Sequence, residues 1–211
     1  LSRLKSIDLD DYSHLLMVNG KYSDIDKRQK QRITSWIADG GVLVAIQDAA
    51  TWAESLCFPS NGCDATEDSE SEDSTPVQPI AYGEFSDRRA QRTIGGAIVK
   101  ALVDPTHPIA WGFDDEMPLF RRGATLLSPS DNPFATPVRY ADQPLLSGYI
   151  GQLRLAEMSG KPAVIAERHG KGAVIRFANN PIFRGFWRGS ERLWVNALYF
   201  GPVIRTTDLP E

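Results

Sequence analysis

Long hydrophobic runs are missing from this chain of 211 residues. None approaches the roughly 18 apolar residues that a membrane-crossing helix needs, so no membrane span is expected. Histidine and cysteine are scarce, with three and two copies. His14, His107 and His169 have no His, Cys or carboxylate three or four positions downstream, so a histidine followed by a second ligand at helical spacing is absent. Each is read as a structural hydrogen-bonding group. A Walker loop, a dinucleotide fingerprint and a nucleophile-elbow serine motif are all absent. The Gly170–Gly172 turn is too short to cradle a phosphate and reads as a hairpin turn.

A positive charge balance is also lacking. The net charge is -4, which argues against a nucleic-acid partner for the surface as a whole. The charge is unevenly spread: Asp64, Glu67, Asp68, Glu70, Glu72 and Asp73 form one acidic run, and the rest of the chain carries a slight positive balance. Residues 57–82 have no periodicity and read as a mobile acidic excursion. The alternating ligand pattern of an EF-hand is missing from it. Both cysteines, Cys57 and Cys63, fall at the start of this stretch. Their spacing suits a small disulfide-closed loop in an oxidising compartment, with two free thiols as the alternative. The chain starts with Leu1 and lacks a signal-peptide pattern, so it reads as a fragment or processed product.

What is present is an α/β pattern. The apolar run Ser13–Val18 predicts a buried strand. A helix follows over about 26–39, capped by Ser23 or Asp24, with Ile33, Trp36 and Ile37 on one face and Gly40–Gly41 ending it. The continuous apolar run Val42–Ile46 predicts a strand buried on both faces, as in a parallel sheet covered by helices. A second helix is expected over 48–56. Strand, helix, strand, helix is the signature of a right-handed crossover and points to a doubly wound core. The stretch of about 83–150 is rich in Pro and Gly and reads as a β-rich insertion, with strands over 97–103, 117–121, 124–127 and 136–140. A short helix over 153–158, a hairpin of strands 163–167 and 173–177, and a helix capped by Ser190 that runs to about Phe200 complete the pattern.

Polar and aromatic residues are densest at Phe177–Arg188, FANNPIFRGFWR, after a predicted strand. In open α/β sheets ligands sit at the carboxyl ends of strands. Asn179, Asn180, Arg184 and Trp187 are therefore candidate binding residues. The competing interpretation is a connection locked by aromatic packing and Asn turns.

The run GKGAVIRFANNPIFRGFWRGSERLWVNALYFG resembles the C-terminal end of bacterial secreted proteins related to zinc carboxypeptidases. The stretches DYSHLLMVNGKYS, WIADGGVLVAIQDAATW, RRAQRTIGGAIVKALVDPTHPIAWGF and LFRRGATLLSPSDNPFATPVRYADQPLLSGYI carry the same resemblance, which spans most of the chain outside the acidic loop. It implies one domain over 1–211, similar to class I glutamine amidotransferases. The implied fold is α/β and flavodoxin-like, doubly wound, with a mostly parallel sheet. Leu1–Asp11 is too short for the first strand-helix unit of such a sheet, so the resemblance implies that this unit is absent from the chain or comes from elsewhere. An N-terminal peptidase domain of the same polypeptide would be the partner, and a periplasmic or secreted location is implied.

Zinc belongs to that peptidase in the resemblance, and no cofactor is expected in this chain. The peptidase's His-x-x-Glu motif does not occur, since the residues three after the histidines are Met17, Ala110 and Gly172. An amidotransferase needs a Cys on the elbow after one strand and a His after a later one. Those positions correspond to Gln47 or Asp48 and to Ala178 or Asn179, none of which supplies the acyl-transfer chemistry. The expected role is a non-catalytic accessory domain that packs on the peptidase or positions its substrate. The alternative is an independent module binding a small polar ligand or cell-wall fragment. Asp48 is then a ligand contact or, more simply, a helix N-cap.

Overall fold

The computed structural model describes residues 7–58 and 81–205. Seven strands form one sheet in the order β1-β2-β7-β6-β5-β3-β4. They are β1 (His14–Met17), β2 (Val42–Ile46), β3 (Ile94–Val103), β4 (Glu116–Arg121), β5 (Val138–Ile150), β6 (Pro162–His169) and β7 (Gly172–Phe177). The helices are α1 (Lys27–Asp39), α2 (Asp48–Ala53), α3 (Phe85–Arg92), α4 (Gln152–Met158) and α5 (Glu191–Phe200). The architecture is α/β and flavodoxin-like, as expected.

The strand-helix-strand unit at the start is fixed locally. Asp26 caps α1 in a reciprocal box with Gln29, at 2.8 and 3.0 Å. The cap is thus Asp26 and not Ser23 or Asp24, because the box needs a Gln or Glu three residues on. Ile33, Trp36 and Ile37 are buried, and Gly40 ends the helix at φ 131°. β2 is buried along its whole length and pairs in parallel with β1 and β7.

Parallel pairing is confined to β1, β2 and β7 and the other four pairings are antiparallel, so the sheet is mixed and not mostly parallel as the resemblance implies. The two-residue link between β6 and β7 forces them to be antiparallel, and the β6–β5, β5–β3 and β3–β4 pairings follow suit. The β-rich stretch supplies β3, β4 and β5, which continue the same sheet.

Three local expectations are corrected. Residues 124–127 form no strand and belong to a loop. The second helix stops at Ala53, short of Leu56. Ser190 does not cap α5 with its side chain; its buried hydroxyl donates to the Pro181 carbonyl at 2.8 Å. Cys63 lies outside the described residues, and the expected Cys57–Cys63 bridge with it, as does most of the acidic stretch.

Candidate functional site

The carboxyl ends of the parallel strands meet at one point. Leaving β2, the chain turns into α2 through Gln47 at φ 55°, ψ -117°. A non-Gly residue held there is strained, and such strain concentrates at functional positions. The Gln47 amide donates to the Phe177 carbonyl at the end of β7, at 2.7 Å. A strand, a strained residue and a helix are the layout of a nucleophile elbow. The residue on the elbow is a carboxamide, whose Nε2 donates to the Arg122 carbonyl at 3.0 Å.

Asp48 begins α2 as its first helical residue and is not its cap. Its amide donates to Asn19 Oδ1 at 3.3 Å, which ties the end of β1 to the elbow. Its carboxylate accepts from Thr125 Oγ1 at 3.2 Å. The loop after β4 thus lies across the elbow, held by Gln47 on one side and Asp48 on the other.

Asn179 follows β7 and is 7% exposed. Its Oδ1 accepts from Arg121 Nη1 at 2.8 Å and from the Tyr140 hydroxyl at 3.1 Å. The Arg121 Nη1 also donates to Tyr140 Oη at 2.7 Å. Arg121 is 1% exposed and Tyr140 is fully buried. Burial pushes the Tyr140 phenol above its usual range, although Arg121 and Asn179 pull the other way. Asn180, the next residue, is spent on an Asx turn, accepting from the Ile182 amide at 3.0 Å.

Arg184 and Trp187 sit apart from this group. Arg184 is in the left-handed region at φ 52°, with its guanidinium 5.3 Å from the centre of the Phe183 ring. Trp187 packs against Phe120 at 5.9 Å, and Phe183 and Phe186 complete that aromatic cluster. No hydrogen bond or ring contact joins either residue to Asn179 among the described residues. The structure therefore brings Asp48 and Asn179 to the same elbow and leaves Arg184 and Trp187 in the connection beyond it.

Arg121, Thr125 and Tyr140 have no sequence signature as a site. They come from strands and a loop more than 35 residues from Asn179. The one available signal is Arg121 on the same face of its strand, EMPLFR, as the buried apolar Met117 and Leu119.

A second polar group lies beside α2. Arg176 reaches Glu54 at 3.0 Å and Glu167 at 2.8 Å. Ser128 donates to Glu54 through its amide at 3.1 Å and its hydroxyl at 3.3 Å, and Ser130 donates to Glu167. His169 stacks on Phe58 at 3.7 Å and lies 4.0 Å from Glu167. These contacts fasten the loop of residues 125–131 to the sheet. Among the described residues, no three His, Cys, Asp or Glu side chains converge as a metal site, and no helix is long and apolar enough to cross a membrane.

No family model matches the chain, and no curated protein matches it. Among solved structures it is similar to a protein described as ThuA-like from Parabacteroides merdae, at 14% identity over 97% of this chain and 76% of that one, with a TM-score of 0.49. A protein described in the same way from Bacteroides uniformis gives 13%, 90%, 69% and 0.48. A cytoplasmic protein from Salmonella typhimurium gives 15%, 94%, 74% and 0.47. Likeness at these identities concerns the fold alone, and no residue role is carried over from any of them.

Proposed function

We propose that this chain is a non-catalytic domain of amidotransferase-like fold that binds a small polar ligand where β2 and β7 end. The observation that carries the reading is the strained elbow at Gln47, kept without any nucleophile on it. A carboxamide does not attack an acyl carbon, and neither Ala178 nor Asn179 can take a proton from one that did. The backbone strain is present without acyl-transfer groups beside it, which favours a role in binding. Amides of Asn19, Gln47 and Asn179 and the Asp48 carboxylate offer polar contacts around the elbow.

The test is a thermal-shift screen of polar metabolites, followed by NMR titration of the hits. A ligand of this site moves the Gln47 and Asn179 side-chain amide signals together, and Asn179→Ala weakens it at least tenfold. Hits that leave both signals in place sink the reading.

A second reading is the accessory role beside a zinc carboxypeptidase-like domain. Its support is a set of exposed apolar residues on α5 and the turn that follows it. Val195 and Tyr199 lie one turn apart on α5 and are 40% and 75% exposed, and Val203, in the turn after the helix, is 57% exposed. Trp111, 64% exposed, packs edge-on against Phe200 at 5.9 Å beside them. Such a set suits burial against another folded body.

A further inference from the structure

We infer that the ligand of the elbow enters carboxylate first, and that Arg121 and Asn179 receive it. This rests on the polar-ligand reading above and deepens it.

The argument starts from an unbalanced charge. Arginine stays protonated in proteins, and a buried charge is costly unless it is paired. Among the described residues two arginines are buried, and they are treated differently. Arg176 is neutralised by both Glu54 and Glu167. Arg121 is more deeply buried, yet all its partners are neutral: Tyr140 Oη, Asn179 Oδ1, and the carbonyls of Ala178 and Thr125. No carboxylate pairs with it among the described residues. Tyr140 does not serve as a counter-ion, because burial keeps its phenol protonated.

The same two side chains hold unused donors. The buried Arg121 Nε and Asn179 Nδ2 have no hydrogen-bond partner. The orientation of the Asn179 carboxamide is fixed, since its oxygen already accepts from Arg121 and Tyr140. One missing negative charge and spare N–H donors on two linked side chains describe an acceptor-only anion. A carboxylate meets that description with two oxygens and a single charge. Asp48, fastened to Thr125 at the same loop, adds a negative charge that opposes a dianion such as phosphate more strongly than a monoanion.

The way in is the loop from Arg122 to Thr125. Arg122, Gly123 and Ala124 are exposed. Their ties to the elbow are single hydrogen bonds, Gln47 to the Arg122 carbonyl and Thr125 to Asp48. Gly123, at φ 123°, supplies a backbone state that other residues rarely adopt.

The experiment titrates the intact chain with acetate, succinate, inorganic phosphate and acetamide, and follows the Arg121 Nε–H and Asn179 side-chain signals by NMR. Expected are shifts of both signals with the two carboxylates and a melting temperature raised by about 3–6 °C at saturation. Acetamide, which has the same shape without the charge, leaves both unchanged. Arg121→Gln weakens carboxylate binding at least tenfold; if that variant does not fold, the wild-type Nε–H signal decides. Equal responses to acetate and acetamide overturn the carboxylate inference and leave the polar-ligand reading intact, as does a response to phosphate alone. Silence from every probe here, together with silence in the wider screen, removes both.

Discussion

Gln47 shows what one residue can reveal that a sequence pattern cannot. Its position after an apolar strand was legible as an elbow, but its positive φ was not, because nothing in a Gln predicts a left-handed backbone. The strain is open to measurement. Glycine reaches φ 55°, ψ -117° without penalty, whereas alanine keeps the strain and loses the bond to Arg122. Gln47→Gly is therefore expected to be more stable than Gln47→Ala by about 1–2 kcal/mol in urea unfolding. Equal stabilities would mean that the elbow is relaxed. The histidines give a second prediction at this scale. Burial lowers the pKa of His169 and of His107, outweighing Glu167 in one case and Asp104 in the other. His107 Nδ1 also accepts from the Ile109 amide at 3.1 Å, which needs the neutral ring. The folded state therefore binds fewer protons than the unfolded chain once the pH drops below about 6.5. Stability contributed by the neutral rings is present above that pH and is lost as the pH falls towards the depressed folded values. Urea midpoints should decline from pH 7.5 to 5.5. His107→Asn, which keeps an acceptor for the Ile109 amide but does not titrate, should flatten that decline; an unchanged slope would rule out His107 as a contributor.

Elements with one clear face were readable, and those without one were not. α1, β2 and the β6–β7 hairpin appear close to where their periodicity and turn residues put them. α3 buries none of its residues, so no apolar stripe announces it. β5 runs for 13 residues, but irregularities in its register against β3 break the alternation that would mark a strand. The loop after β4 carries apolar residues such as the buried Leu127 and so resembles a strand in sequence, but bonds from Thr125 to Asp48 and from Ser128 to Glu54 hold it in place of a ladder. That fastening can be tested. Glu54 holds both Arg176 and Ser128. Its side chain is 24% exposed, and Glu167 remains to balance Arg176. Glu54→Gln is thus expected to cost about 1–2 kcal/mol, below the loss for breaking a fully buried pair. Amide hydrogen exchange should quicken over residues 125–131 and stay unchanged in β2 and β7. Faster exchange throughout would mean that Glu54 supports the whole sheet and not this loop.

At the scale of the molecule, the two readings of function lie on different surfaces and can be separated. The ligand reading concerns the ends of β2 and β7, built from residues that are mostly buried. The accessory reading concerns the outer side of α5, whose inner residues Leu193, Asn196 and Ala197 already satisfy the core. Charging the exposed residues of α5 should therefore leave the fold intact. The double variant Val195→Glu, Tyr199→Glu is expected to unfold within about 0.5 kcal/mol of the parent, as exposed substitutions do. It should still bind whatever the elbow binds. If α5 packs on an upstream peptidase domain, light scattering should show a complex between the separately expressed domain and the parent chain, and none with the variant, because two buried carboxylates without partners oppose association. A complex that survives both charges would place the contact elsewhere on the chain. No complex with either protein would remove the accessory reading and leave the elbow as the seat of function.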